Sequence, residues 1–530
     1  MRSHIRFARG LPGHFRLGLT RERAEAVIRE RLANRADRFL RLLERGVFGH
    51  PTSPYLPMLK AAGCELGDVA AMVRRDGLEA ALEALAAEGV TASFEEFKGR
   101  ARVARPGAAA RMSARDFDNP HLSRYYMGTT GGSSGAGTRV SMELDHYAAQ
   151  APHELVATAA YGLLDAPTAA WLSVLPSPAC LGVMLRRAPF GRPLAKWFSQ
   201  VTERQGGATL KDRLASRTIL AASRLYGVPF PSPEHVPLDR AVEIARWLRR
   251  AADAHGRSVL ITHVSCALRV AVAAREAGFD LNSVVMWAGS EPPTSAKVRL
   301  IRASGAEWIP GYWMIEAGFL AQGCAAPTDD TDVHLFSDAF ALITRRQRVA
   351  DNDTTVDAFY FTTLLPTAPK LMINVEIDDF GVVERRRCGC PLDALGLDLH
   401  LRQIHSLSKL TGEGMTLVGA EAVRILEEVL PARFGGMPLD YQLAEEEGDD
   451  GLTSVILIVS PRVGPLDDAA ILEAFLTAMG QTGPGPRLAR ATWAQANTLR
   501  VRREHPRPTA QGKLLPLYVS RSRLRGSSPS

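Results

Sequence analysis

Four groups of residues in this chain are of types that do chemistry. The first is Thr129-Thr130-Gly131-Gly132-Ser133-Ser134-Gly135-Ala136-Gly137-Thr138. Glycines let the backbone turn its N–H groups inward and hydroxyls add donors, so such a stretch can form a concave site for phosphate. A flexible linker has the same composition. A P-loop needs Gly-x-x-x-x-Gly-Lys-Ser/Thr, and counting from Gly132 reaches Gly137 and then Thr138, with no lysine. The second group is acidic: Glu291 in Gly289-Ser290-Glu291-Pro292-Pro293, Glu316 closing Tyr312-Trp313-Met314-Ile315-Glu316, and Asp378-Asp379-Phe380-Gly381. The third is Cys388-Gly389-Cys390, with Cys324 and His334 upstream. Three thiolates and one imidazole suit tetrahedral Zn2+, and three unrelated buried thiols are the plainer alternative. The fourth is Lys513, in Thr509-Ala510-Gln511-Gly512-Lys513-Leu514. On its own it reads as an exposed tail lysine, notable because lysine is scarce in this arginine-rich chain.

The elements around these residues alternate. Residues 145–162 read as a helix, 170–175 as a strand, 238–254 as a helix and 259–264 as a strand. A helix at 266–277, a buried strand at 283–288, a helix at 295–304 and a short strand near Trp308 follow. Strands alternating with helices imply α/β layers and parallel sheet. Gly289 to Pro293 then fall at the carboxyl end of a strand, where ligands of open α/β sheets bind. Two more strand-like runs lie at 358–364 and 371–377, so Asp378 and Asp379 follow a strand, as an Asx turn also would. Upstream, residues 21–46 form a charged amphipathic helix, and helical patterns recur to residue 88. Beyond residue 405 a smaller α+β pattern begins, with helices at 420–430 and 467–479 and strands at 452–459 and 497–503. Polar, glycine-rich sequence precedes it (Ser406, Ser408, Gly412, Gly414), which suits a hinge.

Composition narrows the function classes. With 530 residues, 46% hydrophobic and 23% charged, the chain holds two or three domains of ordinary globular material. The net charge is +7 and the pI about 9.2. The basic residues are spread along the chain and interleaved with acids, as in Arg21-Glu22-Arg23, so they form solvated mixed faces. No nucleic-acid partner is expected. No run reaches the roughly 18 apolar residues of a membrane span, and Val259 to Ala274 is broken by His263 and Arg269. No secretory signal is read at the amino terminus, so a cytoplasmic location is the expectation, with cysteines serving as thiols or metal ligands.

In order along the chain, these groups resemble the motifs of the adenylate-forming superfamily of acyl-CoA synthetases, adenylation domains and luciferases. Thr130-Gly131-Gly132-Ser133-Ser134-Gly135 is similar to its phosphate loop, with Gly137 where proline is usual and the common lysine missing. Gly289-Ser290-Glu291-Pro292 resembles its Gly-Glu-Pro turn beside adenine. Tyr312 and Glu316 match its Tyr-Gly-x-Thr-Glu, where Trp313 and Ile315 depart. Asp379, with Asp378 as the second choice, matches its ribose-binding aspartate. Arg402 stands near its hinge-proximal arginine, and Lys513 matches its carboxy-terminal Gly-Lys. The Cys/His set resembles that of the phenylacetate–CoA ligase-like branch and its acyl-protein synthetase relatives. So do Ser53-Pro54-Tyr55-Leu56-Pro57, Phe94-Glu95-Glu96-Phe97-Lys98-Gly99-Arg100 and Lys409-Leu410-Thr411-Gly412-Glu413-Gly414-Met415.

The resemblance implies an α/β fold: a large N-terminal adenylate-forming domain with mixed and parallel sheets, plus a small mobile α+β C-terminal domain. Its parts are a helical region at 1–120, a nucleotide- and acyl-binding core at 121–404 and the mobile domain at 405–530. It implies ATP and Mg2+ as cofactors, a structural Zn2+ on Cys324, His334, Cys388 and Cys390, and a carboxylic acid as substrate. The acid is activated as an acyl-adenylate with release of pyrophosphate, then passed to a thiol, with CoA the first choice. An acyl-carrier protein, a protein cysteine or an amine remain open as acceptors, as does a nucleotide-binding relative without turnover. In the assigned roles, Thr130, Gly132, Ser133, Ser134 and Gly135 cradle phosphates, and Gly289, Ser290, Glu291, Pro292, Tyr312, Asp379 and Arg402 surround the nucleoside. Glu316 holds Mg2+, and Lys513 acts on the reacting centre.

Overall fold

The computed structural model describes residues 2–99, 103–105, 108–110, 113–129, 139–175, 177–204, 208–290, 293, 295–314, 316–348, 355–406, 410–412, 415–417, 419–447, 453–479, 499–508, 514 and 516–519. The sequence-assigned Thr130, Gly132, Ser133, Ser134, Gly135, Glu291, Pro292 and Lys513 lie outside the described residues.

The heart of the fold is a twelve-stranded sheet that changes character half way. Six strands run parallel: Pro233–His235, Lys196–Ser199, Thr168–Trp171, Ser258–His263, Val284–Gly289 and Glu307–Met314. At the last of these the chain turns back into Gly318–Gly323, and from there every neighbour is antiparallel. That half continues through Val333–Leu335, Leu399–Ser406, Val375–Arg385 and Thr355–Thr363 to Phe340–Arg348.

The central parallel strands are apolar on both faces because both faces are covered, whereas the edge strand Pro233–His235 is largely exposed. Ser258–His263 and Val284–Gly289 are buried throughout. Alternate side chains point to opposite faces of a strand. Val259, Ile261, Val285 and Trp287 accordingly join one core with residues of the helices Leu144–Ala160 and Ala179–Arg187. Leu260, Val284 and Met286 join another with Ala241–His255, Val264–Glu276 and Ser295–Arg302. Among the described residues no helix is long and apolar enough to cross a membrane.

A second sheet follows, in the order Leu499–Arg503, Thr453–Val459, Tyr441–Glu447, Leu517–Val519. It packs on the helical run from Gly419 and on Asp468–Met479, with Leu426, Leu443, Leu457 and Phe475 in a core of its own. Leu439 and Leu514 reach the core of the large unit. A buried ion pair, Lys297 Nζ to Glu427 Oε1 at 2.5 Å, joins the two units.

Two sequence expectations are corrected. The strand expected at 371–377 runs instead from Val375 to Arg385. Its apolar start, 371–374, is claimed by other partners: Leu371 N donates to Phe117 O, and Tyr55 Oη donates to Leu371 O and accepts from Ile373 N. The strand near Trp308 is not short. It continues to Met314, because Gly318–Gly323 pairs along its far edge.

Candidate active site and metal cluster

The switch from parallel to antiparallel pairing brings Gly289, Ser290, Tyr312 and Asp379 together. Gly311 stands opposite Gly289 in parallel register, so Tyr312 emerges beside the turn at Ser290. Ser290 leaves the strand in the left-handed region at φ 65°, which sends the chain sharply away from the sheet edge. Ligands of open α/β sheets bind at such points.

Tyr312 Oη donates to Asp379 Oδ2 at 2.5 Å. Asp379 does not follow its strand but lies inside it, at an irregularity: Asp378 has φ 66°, and the pairing shifts between Phe380 and Val382. Such a bulge re-aims a side chain. Burial pushes the Asp379 carboxyl up to about 7, the Tyr312 hydrogen bond opposing and the Asp378 charge adding. The Tyr312 hydroxyl is driven well above its ordinary value, by burial first and then by Asp379. Asp379 retains some solvent access.

Gly289 has a use the sequence reading did not assign. A Cβ there would come 2.0 Å from Gly311 O and 2.4 Å from the Trp313 ring, and one on Gly311 would come 2.0 Å from the same ring. Both glycines make room for Trp313, which stacks on Phe319 at 5.5 Å and 18°.

Glu316 sits in the hairpin between Glu307–Met314 and Gly318–Gly323 and is 4% exposed. Its turn is clamped from the helix Leu144–Ala160. Gln150 Nε2 donates to Ala317 O at 3.1 Å, and Gln150 Oε1 accepts from Phe319 N at 3.2 Å. His146 Nε2 lies 3.0 Å from Ala317 O. Lys98 Nζ forms an ion pair with Glu316 Oε1. One buried carboxylate fits Mg2+, which takes one or two carboxylates and fills its shell with phosphate oxygens and water. Lys98, Gln150 and His146 were not assigned site roles from sequence. Lys98 lies within a stretch quoted for the resemblance, in a chain where lysine is scarce, and that was the available signal. Arg402 is turned elsewhere: it pairs with Glu384 at 2.9 Å and Asp329 at 3.4 Å.

The four expected metal ligands converge. One ligand atom each from Cys324, His334, Cys388 and Cys390 lies within 4.8 Å of the others. Zn–S bonds of about 2.3 Å in a tetrahedron require sulfurs about 3.8 Å apart, so a small contraction suffices. His334 Nδ1 is 2.6 Å from Leu397 O and therefore carries the proton. This leaves Nε2 facing Cys390 Sγ at 3.1 Å and Cys388 Sγ at 3.5 Å, the orientation that outer partners impose on metal-binding histidines. Backbone N–H groups of Ala326 and Cys390 donate to Cys324 Sγ and Cys388 Sγ. A hydrogen bond from Cys324 holds the Cys390 thiol far below its ordinary range against the opposing effect of burial, and the same contact drives the Cys324 thiol up. The donor set fits zinc. It ties the end of Gly318–Gly323, the strand Val333–Leu335 and the loop between Val375–Arg385 and Leu399–Ser406.

No family model and no curated protein matches this sequence. Solved structures show a partial likeness to it, each with a TM-score under 0.5. ATP-bound MatB from Rhodopseudomonas palustris is 14% identical over 83% of this chain and 72% of its own, with a TM-score of 0.44. The anthranilate CoA ligase AuaEII in complex with anthranoyl-AMP is 12% identical over 77% and 67%, at 0.43. The amide bond synthetase McbA from Marinactinospora thermotolerans is 15% identical over 98% and 99%, at 0.41. Identities this low leave the chemistry to be read from this chain's own residues.

Proposed function

We propose that the chain is an adenylate-forming enzyme that activates a carboxylic acid with MgATP and passes the acyl group to a thiol, CoA being the first candidate. The observation that carries this reading is the meeting of Gly289–Ser290, Tyr312 and Asp379 at the switch point of the sheet, with Glu316 in the hairpin that follows the strand of Tyr312. Their order along the chain is that of the superfamily's motifs.

In the first step a carboxylate oxygen attacks the α-phosphorus of ATP, the bond to the β-phosphate oxygen breaks, and pyrophosphate leaves. In the second a thiol attacks the acyl carbon, gives up its proton, and AMP departs as the C–O bond breaks. The protein's part is positioning and charge neutralisation. Tyr312 and Asp379 bound the nucleoside pocket, with Glu291 assigned beside them by the resemblance. Ser133, Ser134 and Gly135 are assigned to the phosphates, and Arg402 to the hinge. Mg2+ on Glu316 would neutralise phosphate charge. Lys513 would supply positive charge where negative charge gathers on the α-phosphate. Zinc on Cys324, His334, Cys388 and Cys390 would be structural, and this Cys/His set resembles that of the phenylacetate–CoA ligase-like branch and its acyl-protein synthetase relatives. The unit from residue 405 would swing between the two steps, a device that lets one pocket serve both.

The test is product analysis with a panel of acids plus CoA. AMP and pyrophosphate are expected, and ADP would contradict the reading. A carrier protein, a protein cysteine or an amine in place of CoA would change only the acceptor. A second reading, a nucleotide-binding relative without turnover, is favoured by Lys98 already occupying Glu316 and by Trp313 in place of glycine. It predicts ATP binding with no AMP formed from any acid.

A further inference from the structure

A carboxylate that is 4% exposed stays ionised only with a compensating partner beside it, because an unpaired buried charge is costly. Glu316 has one from its own chain, the ammonium of Lys98. The two partners are held very differently. Glu316 stands in a turn whose following residues are held by Gln150, at Ala317 O and Phe319 N, and touched by His146 at Ala317 O. Gly318 in that turn has φ 90°, and a Cβ there would meet Gln150 Oε1 at 2.2 Å, so the clamp is built against the bare backbone. Lys98 follows a four-residue helix, Phe94–Phe97, whose start is capped by Ser93 and Glu96. Its ammonium lies 5.3 Å from the centre of the Phe94 ring and 5.7 Å from that of Phe97. Four rotatable carbons separate that ammonium from the backbone. The backbone beside the carboxylate is held, and the longer lysine stem gives the cation the greater reach.

We propose that Lys98 is the resident counter-ion of Glu316 and competes with the divalent metal for it, so that metal entry and release of Lys98 are one event. This rests on the proposed assignment of Glu316 to Mg2+. Two cations at one buried carboxylate oxygen repel, whereas exchanging one for the other keeps the carboxylate neutralised throughout. The pair thus stabilises the metal-free protein and raises the metal concentration needed to fill the site.

The experiment uses the full chain. ATP binding is measured calorimetrically in metal-free buffer, and Mn2+, a paramagnetic stand-in, is then titrated into the ATP-saturated protein and followed by electron paramagnetic resonance. Lys98→Met is expected to bind Mn2+ about tenfold more tightly than the parent, while Lys98→Arg, which keeps a cation, stays near it. Glu316→Gln should weaken Mn2+ binding and abolish the gain in the Lys98→Met background. Lys98→Gln gives the same reading should Lys98→Met fail to fold. Unchanged or weaker Mn2+ binding in a folded neutral variant that still binds ATP overturns the competition and leaves the proposed function standing. Failure of the parent to bind ATP overturns both.

Discussion

At the scale of single residues, the contact between Tyr312 and Asp379 makes the clearest demand. The folded protein holds the Asp379 carboxyl near about 7, chiefly by burial, while an unfolded aspartate titrates near about 4. Between those values the folded state keeps a proton that the unfolded chain has released, so this group's contribution to stability falls as pH rises through that window. Asp379→Asn removes the dependence. Its melting temperature should gain on the parent steadily from pH 4 to pH 7 and level off above, while its affinity for ATP drops. A difference that is flat across the window would show that burial does not shift this carboxyl. The pairing of these two residues was legible in sequence only as shared roles. Their separate positions matched a motif, but the hydrogen bond between them depends on a bulge at Asp378 that no local signal marks, since Asp-Asp-Phe-Gly reads equally as a turn.

At the scale of elements, two devices hold the site. One is the hairpin at Glu316. Gly318→Ala would force a side chain into a backbone at φ 90° and against Gln150. A residue strained in this way costs about 1–3 kcal/mol, so urea unfolding should show a loss of that size, with weaker metal binding at Glu316. An unchanged midpoint would mean the turn relaxes freely. The other is the Cys/His cluster, which knots the strands bearing Glu316, Asp379 and Arg402. Metal analysis of the purified protein should find about one zinc per chain on the four-ligand scheme. Cys390→Ser should bring that near zero and lower the melting temperature. A zinc-free parent would refute the assignment. The cluster's residues were readable because ligand softness is a property of residue type. What closed the gap between His334 and Cys388 was not, since it depends on the register Gln322–His334–His400 across three strands. The alternation of helices and strands was readable at Ser258–His263 and Val284–Gly289, which are continuous apolar runs, and not at Lys196–Ser199 or the polar Pro233–His235, which were not read as strands. It was misread at 371–374, where an equally apolar run is buried against Phe117 and Tyr55 without joining the sheet.

At the scale of the whole molecule, the account requires two units that move. Rotation of the unit beyond residue 405 must break the buried pair Lys297–Glu427 and withdraw Leu514 from the large core. Lys513, the neighbour of Leu514 in sequence, would travel with it. Lys513→Ala should therefore slow adenylation roughly 10²–10³-fold, the usual effect of losing one electrostatic donor at a transition state. Conversion of a chemically supplied acyl-adenylate should stay near the parent rate. Equal loss of both half-reactions in a folded variant would contradict the swing. The central claim, activation of an acid through its adenylate, is tested most directly by exchange of labelled pyrophosphate into ATP across a panel of carboxylic acids, with no acceptor added. The account predicts exchange that depends on one class of acid and on Mg2+. ATP binding with no exchange from any acid, or exchange indifferent to the acid, would contradict it.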